Sequence, residues 1–351
     1  MGLIRLLLAL SVLSFHLNRP LPYTLFNQVI AVNSFFIISG FYMALILHEK
    51  YIKSNGSYWL FITNRFLRIY PIYYVTLLLT ITFVIAKYVL HIGTPDNALT
   101  HYFFYSQEEH IPLWQQLNFF MRNLTLILTT DYFGVGSKTG GFLIVQQAWT
   151  LQLELIFYLL VPFLFRMRKL LVLISCLLYS SIFLIFITQP KLPTYSLTFS
   201  FFYYLIFFLT GIGSYFLYKY LQPHLKNTSL PKLLLLIVSL YIVLYQFIPY
   251  SNAKKSFDLS TLIYMTLFGL SLPAIFLSTQ KSRVDRFLGQ LSYPVYITHI
   301  FFIKLITNLN ITEAWSFTLL VVFTTLAGST FLIIFLENPL DRIRQRRLQT
   351  R

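Results

Sequence analysis

Long apolar stretches, each about as long as a bilayer is thick, constrain this chain more than any other feature of its sequence. Of its 351 residues, 57% are hydrophobic and only 11% are charged. Hydropathy predicts ten membrane spans, near residues 3–17, 27–47, 68–90, 148–166, 169–188, 196–218, 232–249, 259–279, 288–307 and 315–337. Such segments have to be helices, because backbone polar groups in lipid must be satisfied within the segment. The sequence therefore predicts an all-α polytopic membrane protein, formed as a single domain over residues 1–351.

The distribution of positive charge predicts the orientation in the membrane. Most of the 27 lysine and arginine residues fall in segments on the same side as the N-terminus. The positive-inside rule therefore places both termini in the cytoplasm and predicts a protein of the inner (plasma) membrane. The net charge of +16 does not indicate a nucleic-acid partner, since basic residues at helix ends are explained by the membrane surface and its lipids.

One connection, residues 91–147, is long and lies on the outer side in this topology. Its part from Trp114 to Leu128 is too apolar to lie free in water, and we interpret it as one or two interfacial or re-entrant helices. The connection also contains three histidines and two glutamates whose spacing matches no ordinary ligand pattern: His91, His101, Glu108, Glu109 and His110. We therefore expect no metal site.

The first predicted helix contains one guanidinium and one imidazole. Arg5 and His16 are eleven residues apart, close to three turns, so they share a face about 16 Å apart along the axis. Ala9 and Val12 lie between them, and Ala9 leaves room for a ligand against the helix. Titratable groups in a membrane helix are costly and usually functional. The alternative is that Arg5 anchors the helix at the cytoplasmic surface while His16 lies in the opposite interface.

Arginines also mark the start of the third span on the cytoplasmic side. Arg65 and Arg68 are three residues apart and share a helical face, which suits bidentate capture of phosphates. Positive-inside anchoring explains the pair equally well. Glu337 closes the last span at the same surface, where it could pair with Arg65, Arg68 or Arg342, and a structural role is favoured for it.

A carboxylate lies near the outer side of the fourth span. Glu154 is one or two turns into this helix, at a depth similar to that of His16. A carboxylate beside an imidazole fixes its tautomer and raises its basicity, so contact between Glu154 and His16 is one interpretation. The other is that Glu154 pairs with a basic group or faces a wet cavity.

Two further stretches place polar or small residues in apolar helices. Ser292, Tyr296 and His299 form one stripe early in the ninth span, and Ser39-Gly40 lies in the second. Helix packing explains both stretches when each is taken alone, and Ser39-Gly40 also permits the close approach of a helix or ligand.

Together these stretches resemble the acyltransferase-3 family of integral membrane O-acyltransferases. The match follows the family's order through Arg-x10-His, Phe35 to Phe41, Arg-x-x-Arg, Trp149 to Glu154, Ser292 to His299 and a closing Glu-x-Pro. Thr150 stands where the family usually has serine, and Leu6 stands where a glycine often follows the first arginine. Neither departure removes a candidate catalytic group.

The resemblance implies transfer of an acyl group, usually acetyl, from acetyl-CoA to a hydroxyl of a carbohydrate or other acceptor. A cell-envelope glycan such as O-antigen or exopolysaccharide is the acceptor expected from the family's frequency. The resemblance implies His16 as the catalytic residue and Arg5, Arg65 and Arg68 as contacts of the acyl-CoA donor. Two roles stay open for His16: general base on the acceptor hydroxyl, or a nucleophile that is itself transiently acylated. We expect Glu154 to orient His16, the pantetheine arm to run along the Arg5–Ala9–Val12–His16 face, and substrate contacts from Trp149, Ser39, Tyr296 and His299.

Two other functions remain open from the residues. A non-enzymatic transporter or flippase of a lipid-linked glycan would use Arg5, Arg65 and aromatic residues as a headgroup pathway. A membrane sensor would bind acyl-CoA without turnover. The presence of His16 and Glu154 favours an enzyme, and the lack of a clear internal repeat disfavours an inverted-repeat transporter.

Overall fold

A computed structural model describes residues 1–17, 27–52, 57–92, 113–126, 143–167, 172–181, 201–225, 228–244, 259–309 and 311–349. All regular structure in these ranges is helical. The α-helices are α1 (Gly2–His16), α2 (Gln28–Ile46), α3 (Tyr58–Val89), α4 (Leu113–Thr125), α5 (Trp149–Arg166), α6 (Val172–Ser181), α7 (Phe201–Leu225), α8 (Leu230–Val243), α9 (Leu259–Thr279), α10 (Arg283–Thr307), α11 (Ala314–Leu332) and α12 (Asn338–Gln349). Two π-helical turns, Leu47–Ile52 and Ile333–Glu337, extend α2 and α11, and a 3-10 turn, Gln146–Ala148, precedes α5.

Several of these helices have the length and composition of membrane spans. Within the described ranges, four are long and apolar enough to cross a bilayer: Gln28–Tyr51, Tyr58–Val89, Gln146–Arg166 and Ala314–Leu348. Shorter apolar helices cover Gly2–His16, Val172–Ser181, Leu230–Val243 and Tyr264–Thr279. The prediction of an all-helical, multi-pass membrane protein is therefore confirmed, whereas the number of ten spans and the cytoplasmic termini stay predictions.

Helix α3 begins ten residues before the span predicted from hydropathy. Its N-terminus is capped by Ser57, whose hydroxyl accepts a hydrogen bond from the backbone N–H of Leu60 at 3.2 Å. Phe61, in the added first turns, is buried in the core. Arg65 and Arg68 therefore lie two to three turns inside a continuous helix rather than at its opening. The span predicted from hydropathy begins too late because the two arginines lower the mean hydropathy of the first turns of the helix.

Glycines bring α2 and α7 together in the most extensive helix pair of the described residues. A Cβ added to Gly40 would lie 2.1 Å from the carbonyl oxygen of Phe208, and one added to Gly211 would lie 2.0 Å from that of Ile37. Each glycine therefore lies directly against the backbone of the other helix. The close approach predicted at Ser39-Gly40 is confirmed, and the group that approaches Gly40 is a helix.

Helix α1 is fixed to the start of α10. A Cβ added to Gly289 would lie 3.1 Å from Cα of Gly2, so the two helices touch there. The carboxylate of Asp285 caps α1 by accepting hydrogen bonds from the backbone N–H groups of Gly2 at 2.8 Å and Leu3 at 2.9 Å. Burial acts to raise the pKa of Asp285, but these hydrogen bonds and the N-terminal ammonium of Met1, 2.9 Å from Oδ2, outweigh it, so the pKa lies below its usual value. The cap is therefore ionised, and it orients the face that carries Arg5.

Helix α4 ends near the middle of α3. The hydroxyls of Tyr70, Tyr73 and Tyr74 in α3 donate to three consecutive carbonyls at the end of α4, those of Thr125, Asn123 and Leu124 respectively. From Tyr74, α3 continues to Val89, a further rise of about 22 Å. The three hydroxyls supply partners that lipid cannot supply to the end of a helix. The helix expected in this stretch is therefore present, and whether it is interfacial or re-entrant stays a prediction.

Much of the long connection lies outside the described residues. Of the histidines and glutamates considered there as metal ligands, only His91 is described. The expectation about a metal site in this connection therefore stays a prediction.

Candidate active site

A cavity of about 450 Å³ lies among α1, α2, α3, α5, α9, α10 and the end of the chain. Six basic side chains line it: Arg5, Lys50, Arg65, Arg68, Arg286 and Arg344. Four acidic side chains line it as well: Glu154, Asp285, Glu337 and Asp341. A concave, charged chamber with apolar walls inside a membrane protein is the expected form of a site for an anionic ligand with an apolar part.

The three arginines singled out in the sequence all face this cavity. Arg65 is buried, and its Nε atom has no hydrogen-bond partner among the described residues. Its guanidinium carbon lies 5.8 Å from the ring centre of Phe61, and that of Arg5 lies 5.9 Å from the ring centre of Tyr42. Aromatic faces thus hold these two cations and leave guanidinium donors for an anion.

Glu337 lies beside the arginines and belongs to the π-helical turn at the end of α11. It is buried, and its Oε2 atom has no hydrogen-bond partner among the described residues. Among the carboxylates that act on Arg68, Glu337 exerts the largest attraction. Arg68 is therefore one of the partners considered for Glu337 that lies within electrostatic range of it. π-turns are frequent at functional sites, and this one presents Glu337 to the cavity.

Glu154 is held by α2 rather than by α1. The hydroxyl of Ser39 donates to Oε1 of Glu154 at 2.7 Å, and both residues line the cavity. Of the two interpretations from sequence, the structure supports a carboxylate that faces a cavity. The expected contact between Glu154 and His16 is wrong, because the close packing of α1 on α10 turns His16 toward another partner.

That partner is His299 in α10. The rings of His16 and His299 have centres 5.1 Å apart. Nδ1 of His16 lies 2.9 Å from the carbonyl of Val12, and Nδ1 of His299 lies 2.6 Å from that of Tyr296. A carbonyl only accepts, so each Nδ1 carries the proton and each Nε2 is left as a base. Nε2 of His299 is buried without a partner among the described residues.

The cavity stops short of this histidine pair. Its lining from α1 consists of Gly2 and Arg5, whereas Ala9 and Val12 are buried in the hydrophobic core. The expected path for a ligand along the α1 face is therefore wrong, because protein fills the space beside Ala9. The apolar wall comes instead largely from α2, including Phe35, and the lining along α10 ends at Tyr296.

Trp149, expected to contact substrate, lies outside the cavity lining. Its ring is half-buried and lies 5.5 Å from that of Tyr204 in α7. Next to it, the hydroxyl of Thr150 donates to that of Tyr296 at 3.0 Å. The departure from serine to threonine at this position therefore keeps the hydroxyl and its hydrogen bond.

Sequence reasoning missed several cavity residues because it assigned them to membrane anchoring or to no role. Asp341 and Arg344 form an ion pair at 2.7 Å and line the cavity beside Glu337. Their spacing of four and then three residues from Glu337 puts all three on one helical face, which was a detectable signal. Tyr42 and Arg286 carried no comparable pattern.

Comparison with known proteins identifies the class. A family model described as an acyltransferase domain, of the acyltransferase-3 family, matches residues 1–334. The chain belongs to this family, and the resemblance inferred from its motifs is confirmed. The protein is accordingly a multi-pass membrane acyltransferase.

Individual relatives are distant. A protein of Acidianus two-tailed virus, named provisionally as an acetyltransferase, is 28% identical over 304 residues, which cover 83% of this chain and 79% of the viral protein. Protein 2 in the picA locus of Rhizobium radiobacter is 31% identical over 130 residues, covering 37% of this chain and 62% of that protein. No solved structure is significantly similar to this chain.

Proposed function

We propose that this acyltransferase moves an acetyl group from cytoplasmic acetyl-CoA to a hydroxyl of a cell-envelope glycan, such as O-antigen or exopolysaccharide, in the inner membrane. The observation that carries the donor assignment is the group of guanidiniums in the cavity, above all the buried Arg65 with an unpartnered Nε. Coenzyme A is an anion with several phosphates on a long, less polar arm. Arg65, Arg68 and Arg5 would bind these phosphates through charge-assisted hydrogen bonds.

The chemical step assigns Nε2 of His16 as general base. It takes the proton of the acceptor hydroxyl as the oxygen attacks the thioester carbonyl carbon, forming the new C–O bond. The C–S bond then breaks, and the proton passes to the departing thiolate of coenzyme A. The bond between Nδ1 of His16 and the carbonyl of Val12 supports this role, because it leaves Nε2 unprotonated.

Glu154 is assigned a positioning role at the cavity, since it lies against Ser39 rather than beside His16. The nearer neighbour of the base is His299. A substrate-contacting role for Trp149 is supported only by its position next to Thr150 at the entrance to α5.

The test of the chemistry compares wild type with His16→Ala and with His224→Ala, which changes an exposed histidine at the end of α7. Envelope glycans from a strain lacking the gene and complemented with each variant are analysed by mass spectrometry at equal protein levels. We expect acetyl groups with wild type and His224→Ala, and a loss of at least about 10²-fold with His16→Ala. Normal acetylation with His16→Ala would exclude His16 as the base. Unmodified glycan that fails to reach the surface in the deletion strain would indicate a transporter instead.

The test of donor binding measures acetyl-CoA affinity for the purified protein in lipid nanodiscs. Arg65→Gln and Arg68→Gln should each weaken binding by about 10- to 100-fold, the value of a charge-assisted hydrogen bond. Arg166→Gln changes an exposed arginine in the last turn of α5 and should leave the affinity unchanged. Equal affinity of all three variants would contradict the phosphate site. A protein that binds donor with wild-type affinity but transfers nothing to any glycan would be a sensor.

A further inference from the structure

Two rings lie where the cavity lining along α10 ends. Phe35 of α2 and Tyr296 of α10 both line the cavity and have ring centres 6.0 Å apart, edge to face. Tyr296 is held in place, because its hydroxyl accepts a hydrogen bond from Thr150 at 3.0 Å and donates to the carbonyl of Gln147 at 3.3 Å. Phe35 is only partly buried and has no polar group to restrain it. One ring of the pair is thus tethered by hydrogen bonds, whereas the other is held by apolar packing alone.

The histidine pair lies on the far side of Tyr296. The ring of His299 is 6.0 Å from that of Tyr296, and His16 follows at 5.1 Å from His299. Neither histidine is part of the cavity lining. Group transfer requires reacting atoms to approach to about 3–3.5 Å. Tyr296 belongs both to the cavity lining and to a ring contact with His299, so a thioester held by the arginines meets the Phe35–Tyr296 pair on its way to His16.

We propose that the Phe35–Tyr296 pair is a gate that separates the donor cavity from the histidines and sets the size of the acyl group that passes. The size-selecting part of this inference rests on the proposed function. The acyl group is the leading end of the donor when its phosphates bind at Arg5, Arg65 and Arg68. A small group passes when the Phe35 ring rotates, whereas a longer chain meets the tethered ring of Tyr296.

Accessibility of position 16 tests the gate without reference to activity. In a Cys176→Ser background, His16→Cys is labelled with a membrane-impermeant methanethiosulfonate, applied to each face of sealed vesicles in turn. We expect labelling through the cavity to accelerate at least about tenfold when Phe35→Ala is added, with Phe35→Leu intermediate. Ser39 lines the cavity, so Ser39→Cys should be labelled at the same rate in proteins with Phe35 and with Phe35→Ala. Equal rates would verify that the cavity itself is intact. Labelling of His16→Cys at the same rate with Phe35 and with Phe35→Ala would overturn the gate.

Acyl-chain preference tests the selection. Transfer is measured with acetyl-, butyryl- and hexanoyl-CoA. A pocket discriminates by about tenfold or more per methylene, so Phe35→Ala should raise the ratio of hexanoyl to acetyl kcat/KM by at least about tenfold. Thr150→Val removes the shorter of the two hydrogen bonds that hold Tyr296 and should raise the same ratio, whereas Thr150→Ser keeps the hydroxyl and the wild-type ratio. Phe323→Ala, at a lipid-facing position 69% exposed, is the control for loss of an aromatic ring.

The two measurements separate the possible failures. If Phe35→Ala accelerates labelling of His16→Cys but leaves the ratio of hexanoyl to acetyl kcat/KM unchanged in an active enzyme, size selection is overturned. The gate itself would still be supported. Absence of transfer from every donor by the wild-type protein would contradict the proposed function, and the labelling result would still decide whether Phe35 and Tyr296 close the cavity.

Discussion

Replacing Gly40 by alanine should damage the site through the backbone, although the side chain added is only a methyl group. The added Cβ would lie 2.1 Å from the carbonyl oxygen of Phe208, and real Cβ atoms essentially never come closer than 3.0 Å. One of the two helices must therefore move by about 0.9 Å. Both contacting groups are part of helical backbone, so no flexible side chain can absorb the change.

The displacement has a local and a global consequence. Ser39 precedes Gly40 and donates to Glu154 at 2.7 Å, so a movement of this size along the bond would take it out of hydrogen-bonding range. Overpacking of this kind costs about 1–3 kcal/mol of stability. A misplacement of about 1 Å in a site reduces activity by up to about 10²-fold. We expect Gly40→Ala to melt at a lower temperature and to lose between about 10- and 100-fold in transfer rate.

The matched control lies in the partner helix. A Cβ on Gly213 meets nothing within 4 Å, whereas one on Gly211 would lie 2.0 Å from the carbonyl oxygen of Ile37. Gly213→Ala should therefore be neutral or up to about 1 kcal/mol stabilising, since alanine is the better helix former. Thermal unfolding in detergent and acyl transfer are measured for all three alanine variants. If Gly40→Ala and Gly211→Ala behave like Gly213→Ala, close backbone contact does not position Ser39.

The remaining predictions concern the two other contacts that fix helices around the site. Asp285→Ala should lower the free energy of unfolding by about 0.5–2 kcal/mol, because the N–H groups of Gly2 and Leu3 lose their cap, as measured by thermal unfolding near pH 7. The pKa of Asp285 lies below its usual value of 3.8, so its contribution to stability should be present above about pH 4. This contribution should be lost only as the pH falls through the lowered pKa. A contribution that disappears near pH 6 would contradict the prediction. Tyr73→Phe removes the hydrogen bond that Tyr73 donates to the carbonyl of Asn123 and should cost about 1–3 kcal/mol of stability. Hydrogen exchange of the backbone amides of α4 should then become faster. Unchanged exchange would show that this hydroxyl does not hold the helix.

The sequence predicted the membrane helices well because their determinant, local apolar composition, is carried by neighbouring residues. It also predicted that Arg65 and Arg68 share a face, which their spacing alone decides, whereas it missed Arg286 and Arg344 in the same cavity. The partner of His16 was not predictable in this way. It depends on how α1 packs on α10, and this packing is fixed by backbone contact at Gly2 and Gly289.

The path of a ligand was likewise beyond local reasoning. Ala9 presents a small side chain, and from α1 alone the space beside it is open. In the folded protein other helices fill that space, and Ala9 is completely buried. Whether a gap beside a small residue becomes a ligand channel or a helix contact depends on residues far away in the chain, which no periodicity in α1 records.

The tyrosine hydroxyls that cap α4 also imply an order of assembly. With 13 residues α4 rises only about 20 Å, too short to cross a bilayer as an independent span. Three of its terminal carbonyls accept hydrogen bonds from tyrosines of α3, so the observed end of α4 forms only when α3 is in place. The side chain of Asn123 then accepts a hydrogen bond from the N–H of Ile144, just before the turn that leads to Thr150 and Glu154. The contacts of α4 with α3 and with Ile144 thus link α3, through this short helix, to the segment that enters α5.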